Sequence, residues 1–165
     1  MNQRCVSVMI LFLLALMILS GNVSASGAGP GGLNLQIVRT KGEEILWEAS
    51  AKPGDYFTIE YQHSSDHTPV RDLFTIGDHG EIILIEESYR WYGAGLESFP
   101  GVGEIDLSGD WTRVRMHRSL PYFFLRIGRI ANHILTFKGQ DVPLLSIGTG
   151  GDSVWIRTTK SAGRR

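Results

Sequence analysis

Apolar and polar residues alternate with a period of two along most of this chain, which is the spacing of strands rather than helices. Leu33, Leu35 and Ile37 alternate with Asn34, Gln36 and Val38, and residues 45–49 read as the return strand after Lys41-Gly42. Pro53-Gly54-Asp55 is a turn, because proline presets φ and glycine accepts positive φ. In residues 56–63, Phe57, Ile59, Tyr61 and His63 share one face and Thr58, Glu60 and Gln62 the other. Residues 70–76 form a further strand, with Val70, Asp72, Phe74 and Ile76 on its inward face. The β-branched run 82–85 predicts a strand buried on both faces. Residues 93–110, rich in glycine, predict a loop. Beyond it, Val114 and Met116 face in while Arg113 and Arg115 face out; Phe123, Leu125 and Ile127 face opposite to Phe124 and Arg126. Residues 133–138 make a strand closed by a turn at Gly139-Gln140, residues 148–151 a glycine turn, and residues 154–158 the last strand.

No stretch carries an apolar stripe at i, i+3, i+4 and i+7 over ten residues. About eight to ten short strands at this spacing predict an all-β fold, an antiparallel sandwich or barrel. The N-terminus breaks the pattern. A polar start with Arg4 precedes an apolar run over residues 6–19, and Val23-Ser24-Ala25 offers small residues for cleavage. That order predicts a secretory signal over residues 1–25. The run is shorter than the ~20 residues of a typical bilayer span. Residues 26–32 read as a flexible linker, 33–160 as a single β domain and 161–165 as a basic tail. The chain is therefore expected to be periplasmic or extracellular; residues 6–19 would tether it to a membrane only if the signal stays uncleaved.

Charge and cysteine usage narrow this further. The one cysteine, Cys5, lies inside the signal, so no disulfide can staple the domain. Residues 26–110 hold fifteen acids and five Lys/Arg (balance −10), and residues 111–165 hold two acids and ten Lys/Arg (balance +8). Opposed halves of this kind fit acidic strands pairing with basic strands in one sheet system. They also fit a surface whose basic side meets an anion. Basic and aromatic residues are not interleaved as in a nucleic-acid module, and no nucleic-acid partner is expected.

The densest polar cluster is Tyr61-Gln62-His63-Ser64-Ser65-Asp66-His67-Thr68-Pro69, a loop between two expected strands. If those strands pair, His63 and Asp72 could meet inside the rim, the carboxylate orienting the imidazole. The same groups could instead satisfy the loop's backbone. A metal site at His63, Asp66 and His67 lacks any recognised ligand spacing, and no metal or cofactor is expected. Arg113 and Arg115 share one strand face and could hold a carboxylate, or pair with Glu86 and Glu87. No nucleophile elbow surrounds Ser64 or Ser153.

Tyr61-x-His63-Ser64, Thr68-Pro69-Val70, Gly93-Ala94-Gly95-Leu96, Leu125-Arg126-Ile127-Gly128 and His133-x-Leu135 stand in an order and spacing that resembles a bacterial family, the domain of unknown function numbered eighteen-fifty. Glu97 stands where that family's pattern has proline. The resemblance implies a small exported or membrane-tethered β domain. It also implies association with TRAP transporters of the TAXI type, which pair a solute-binding protein with a permease. On that reading the chain is a non-catalytic accessory of solute uptake. Its expected partners are the TRAP permease, the solute-binding protein or a small anionic solute. The working edge would comprise Tyr61, His63, Ser64, Thr68, Pro69, Asp72, Gly93, Gly95 and Arg126. Two other classes stay open: a hydrolase using His63 with Asp72 or Ser64, and a structural protein of the cell envelope.

Overall fold

The computed structural model describes residues 32–64, 67–90 and 103–161. Eleven strands among them form two antiparallel sheets. They are β1 (Leu33–Arg39), β2 (Ile45–Ala51), β3 (Tyr56–Gln62), β4 (Pro69–Ile76), β5 (Ile82–Tyr89), β6 (Glu104–Asp106), β7 (Thr112–Leu120), β8 (Phe123–Arg126), β9 (Ile134–Phe137), β10 (Gln140–Pro143) and β11 (Ser153–Lys160), with a single helical turn, α1 (Leu144–Ile147), before the last. The small sheet has the order β2-β1-β11-β8 and the large one β10-β9-β3-β4-β5-β7-β6. The sheets stack as a sandwich and do not close into a barrel.

Period-two alternation builds the core. Leu35, Ile37, Val154 and Ile156 from the small sheet meet Phe57, Ile59, Phe74, Ile76, Ile82, Leu84, Leu135 and Phe137 from the large one, all buried in one cluster. Aromatic rings lock the layers. Phe57 stacks on Phe74 with centroids 4.8 Å apart, and Phe123 of the small sheet tilts onto Phe74 at 4.9 Å. Trp47 meets Phe137 edge-on at 6.3 Å. Val70, Tyr89 and Val114 form a second, smaller cluster that Tyr61 and Met116 join to the first.

Several expectations need correction at element ends. The stretch expected to be loop over 93–110 contains β6, an edge strand paired with β7. The turn after β9 falls at Lys138-Gly139, both with positive φ, and Gln140 already belongs to β10. Strand β3 ends at Gln62, so His63 opens the loop rather than closing the strand. A bulge in β5 is the change with the largest consequence. The β4–β5 register shifts between Leu73 and Phe74, and Ile85 has no place in the ladder. Ile82 and Leu84 face the core before it. After it the alternation is reset, so Glu87 and Tyr89 take the inner face while Glu86 and Ser88 turn outward. The segment expected to be a signal (1–25), most of the expected linker and the end of the basic tail lie outside the described residues, as do Asp66, Gly93 and Gly95.

Candidate functional site

One end of the sandwich gathers three connections, and backbone hydrogen bonds set their relative position. His63 donates its amide to the Thr68 carbonyl (2.8 Å) and His67 donates to the His63 carbonyl (3.0 Å), closing the β3–β4 loop. The Gln62 amide donates to the Ala131 carbonyl (2.8 Å), tying the end of β3 to the segment after β8. Ile127 donates to Asp152 (2.8 Å) and accepts from Gly151 (2.7 Å), which brings in the turn before β11. The Asp152 carboxylate accepts from the Thr149 amide at 3.0 Å and from Arg39 Nε at 3.1 Å. Those partners hold its pKa below the ordinary carboxylate value and commit it to the turn.

The result is an open cleft of about 550 Å³ lined by Ser64, Arg126, Ile127, Gly128, Arg129, Ile130, Ala131 and Gly151. Its walls are mostly apolar, and its polar groups are one hydroxyl and two guanidiniums. Arg129 donates Nε to the Gly150 carbonyl at 3.4 Å. Among the described residues neither Arg126 nor Arg129 has a carboxylate partner.

Gly128 connects the cleft to a group of buried and half-buried polar side chains. His133 accepts the Gly128 amide on Nδ1 at 3.2 Å, so the neutral ring carries its proton on Nε2. Burial lowers its pKa. The Tyr61 ring tilts against it at 5.3 Å. Tyr61 in turn lies on the same inner face as Asp72 and Glu87, which stand opposite each other on β4 and β5. Burial, reinforced by the Glu87 charge, pushes the pKa of Asp72 up to about 7. Burial also raises Glu87, against the opposing pull of Arg118. The Tyr61 hydroxyl is raised by burial and by both carboxylates.

This geometry separates His63 from Asp72. In the β3–β4 ladder Asp72 pairs with Ile59 and Gln62 with Pro69. His63 therefore sits four residues along from Asp72's partner, roughly 13 Å away at strand spacing. The encounter expected from the shared inward face does not form; Asp72 meets Glu87 instead. Of the residues expected at a working edge, Ser64 and Arg126 line the cleft. His63 and Thr68 close its loop, and Pro69 starts β4. Tyr61 does not line it but packs against His133, and Asp72 is buried in the large sheet.

Arg113 and Arg115 are on the outer face of the large sheet, as their spacing predicts, but face carboxylates of their own chain. Arg115 lies 3.8 Å from Glu86 and 3.7 Å from Glu104, and Arg113 lies 4.0 Å from Asp106. Beside them Arg71 pairs with Glu60 at 2.8 Å and, with Arg90, flanks the Trp111 ring. Glu87, also expected among these partners, faces the opposite way. Among the described residues no group of three or more His, Cys, Asp or Glu is placed to hold a metal ion.

Ile127, Gly128, Arg129, Ile130, Ala131 and Gly151 line the cleft but are not among the residues expected at the edge. The signal for them is the two runs of turn residues, one after β8 and one before β11, but nothing in a single segment tells which turns meet. The family described as Domain of unknown function (DUF1850) matches residues 57–144, which covers β3 to the start of α1 and both walls of the cleft except Gly151. The chain belongs to this family. No curated protein and no solved structure matches it.

Proposed function

We propose that this DUF1850 member is an exported accessory domain of a TRAP-type solute uptake system, and that it binds an anionic group of a solute or partner subunit in the rim cleft without catalysis. One observation carries the reading: Arg126 and Arg129 line the same apolar cleft and neither is neutralised by a carboxylate of the described chain. A guanidinium matches a carboxylate with two parallel hydrogen bonds. The apolar walls suit the hydrocarbon part of an organic anion, with the exposed guanidiniums at its charged end. Among the described residues the lining holds no histidine, cysteine or carboxylate, which suits it to holding an anion rather than to moving protons. Export rests on the leader pattern in residues 1–25, and the TRAP association on what the family resemblance implies.

Titration of succinate into the full chain by calorimetry tests the site. Saturable binding that is lost in the Arg126→Ala/Arg129→Ala double variant is expected, and heats unchanged by the double substitution reject it. Deleting the gene should lower uptake by the transporter it serves, restored by the wild-type chain and not by the double variant. Unchanged uptake rejects the accessory role.

A further inference from the structure

We infer that the cleft's occupant is an extended, acid-bearing segment of another polypeptide, which adds as a fifth strand beside β8 and sets its carboxylate between Arg126 and Arg129. The inference rests on the anion-binding reading of the cleft and names the source of the anion.

Strand β8 runs directly into the cleft: Arg126 is at once its last residue and part of the cleft wall. It is also an edge. It pairs with β11 on one side and with no described strand on the other. Ile127 turns both its amide and its carbonyl toward residues 151 and 152. By the alternation of an antiparallel ladder, Phe124 and Arg126 turn theirs the opposite way, along the free edge. A strand laid there finds donors and acceptors at strand spacing, which a small solute would leave unused.

The other edges carry devices that discourage such pairing. Strand β10 contains Asp141 and Pro143, and β6 is three residues long with two acids. Strand β2 is bulged against β1, and Lys138 Nζ caps its Ser50 carbonyl at 2.9 Å. The β8 sequence, Phe-Phe-Leu-Arg, is short and ends in one charge, but it has no acid, proline or bulge, and that charge lies at the cleft. Its outer face also continues an apolar row across the whole small sheet. Ile45 pairs with Val38, Val38 with Trp155, and Trp155 with Phe124. Phe124 is 55% exposed at the end of that row, and Tyr122 lies 5.8 Å from the Trp155 ring. Alternate side chains of an added strand would extend this row, and an acid two residues further along would reach the guanidiniums. Charge complementarity selects the acid, because the cleft presents two cations and no anion among the described residues.

The test uses the full chain and a dye-labelled, acetylated nonapeptide of alternating threonine and valine that ends in glutamate amide. Fluorescence anisotropy should show it binding about tenfold or more tighter than succinate competes. N-methylation of alternate backbone amides should weaken it about tenfold, and so should glutamine in place of glutamate or Arg126→Ala in the protein. If succinate binds but the peptide is no tighter, or the N-methylated peptide binds equally well, the cleft serves a small solute and the inference falls alone. If neither binds, the anion reading falls with it. Concentration-dependent dimers in sedimentation that are broken by Phe124→Lys would assign the edge to a second copy and overturn the inference.

Discussion

Asp72 on β4 stands directly opposite Glu87 on β5, and both face the interior of the sandwich. Two carboxylates so placed cannot both ionise cheaply, because each is partly removed from water and repels the other. Asp72, almost fully buried, is raised from 3.8 to about 7. Its folded pKa lies above its unfolded one, so the folded state binds the proton more tightly. The stability this provides is full below pH 3.8 and is lost as pH rises through about 7. Unfolding free energy should therefore drop by about 2–4 kcal/mol between pH 4 and pH 8 from this group. Asp72→Asn should be the more stable protein at pH 8 and should flatten that slope. Urea unfolding at four pH values checks it, and an unchanged slope in the variant rejects the assignment.

His133 works in the opposite sense. Burial depresses its pKa below 6.5. Its contribution is therefore present above 6.5 and is lost as pH falls through the folded value. The Asp72→Asn protein should show this acid limb most clearly. His133→Phe should abolish the limb while leaving the Gly128 amide without its acceptor, at a cost of about 1–3 kcal/mol at pH 7. Denaturant midpoints of the two variants and their combination, followed from pH 4.5 to 8, separate the effects.

How far these sites were legible depends on whether they lie within one ladder. Phe57, Ile59, Phe74 and Ile76 obey strict alternation, and their burial follows from the residues alone. Arg113 and Arg115 likewise stand on the outer face their spacing predicts. Glu87 does not, because the extra residue at Ile85 flips the faces after it, and a bulge inside a run of β-branched residues leaves no mark on apolar periodicity. The His63–Asp72 encounter failed for a related reason. Sharing a face fixes parity but not register, and the register is set by where the 63–68 loop closes. The cleft was half legible: Ser64 and Arg126 stand in recognisable segments, whereas Gly151 reaches them only through the tertiary pairing of Ile127 with residues 151 and 152.

Gly103 shows how close packing at an edge can be tested. It adopts φ +92°, and a Cβ there would lie 1.7 Å from the Arg115 carbonyl oxygen. Both facts exclude a side chain while β6 remains paired to β7. Gly103→Ala should therefore release β6 and with it the contacts of Arg115 to Glu104 and Arg113 to Asp106. A loss of about 1–3 kcal/mol is expected, strain at a positive φ adding to the clash. Gly109→Ala, where a Cβ meets open space, should stay within about 0.5 kcal/mol of the parent. Guanidinium unfolding compares them, and hydrogen exchange at Arg115, on the β6 side of β7, reports whether β6 has left, with Val114 on the β5 side as reference.

Gly150 offers a substitution that acts on the cleft through one of its arginines. A Cβ at Gly150 would lie 2.5 Å from Arg129 Cγ and 3.4 Å from its Cα, so the side chain now lying over this turn must swing away. Arg129 is exposed and has no ion pair among the described residues, and the bond it gives up is the long one to the Gly150 carbonyl. Rotating it should therefore cost little stability, about 0.5 kcal/mol or less. Its loss from the cleft should be felt by an anion, since a charge-assisted hydrogen bond contributes about 1.5–3 kcal/mol. Gly150→Ala is thus expected to keep its melting temperature within a few degrees while binding succinate about tenfold more weakly or worse. If the affinity is unchanged although Arg129 has moved, as its side-chain NMR signals would report, then Arg126 holds the anion without it.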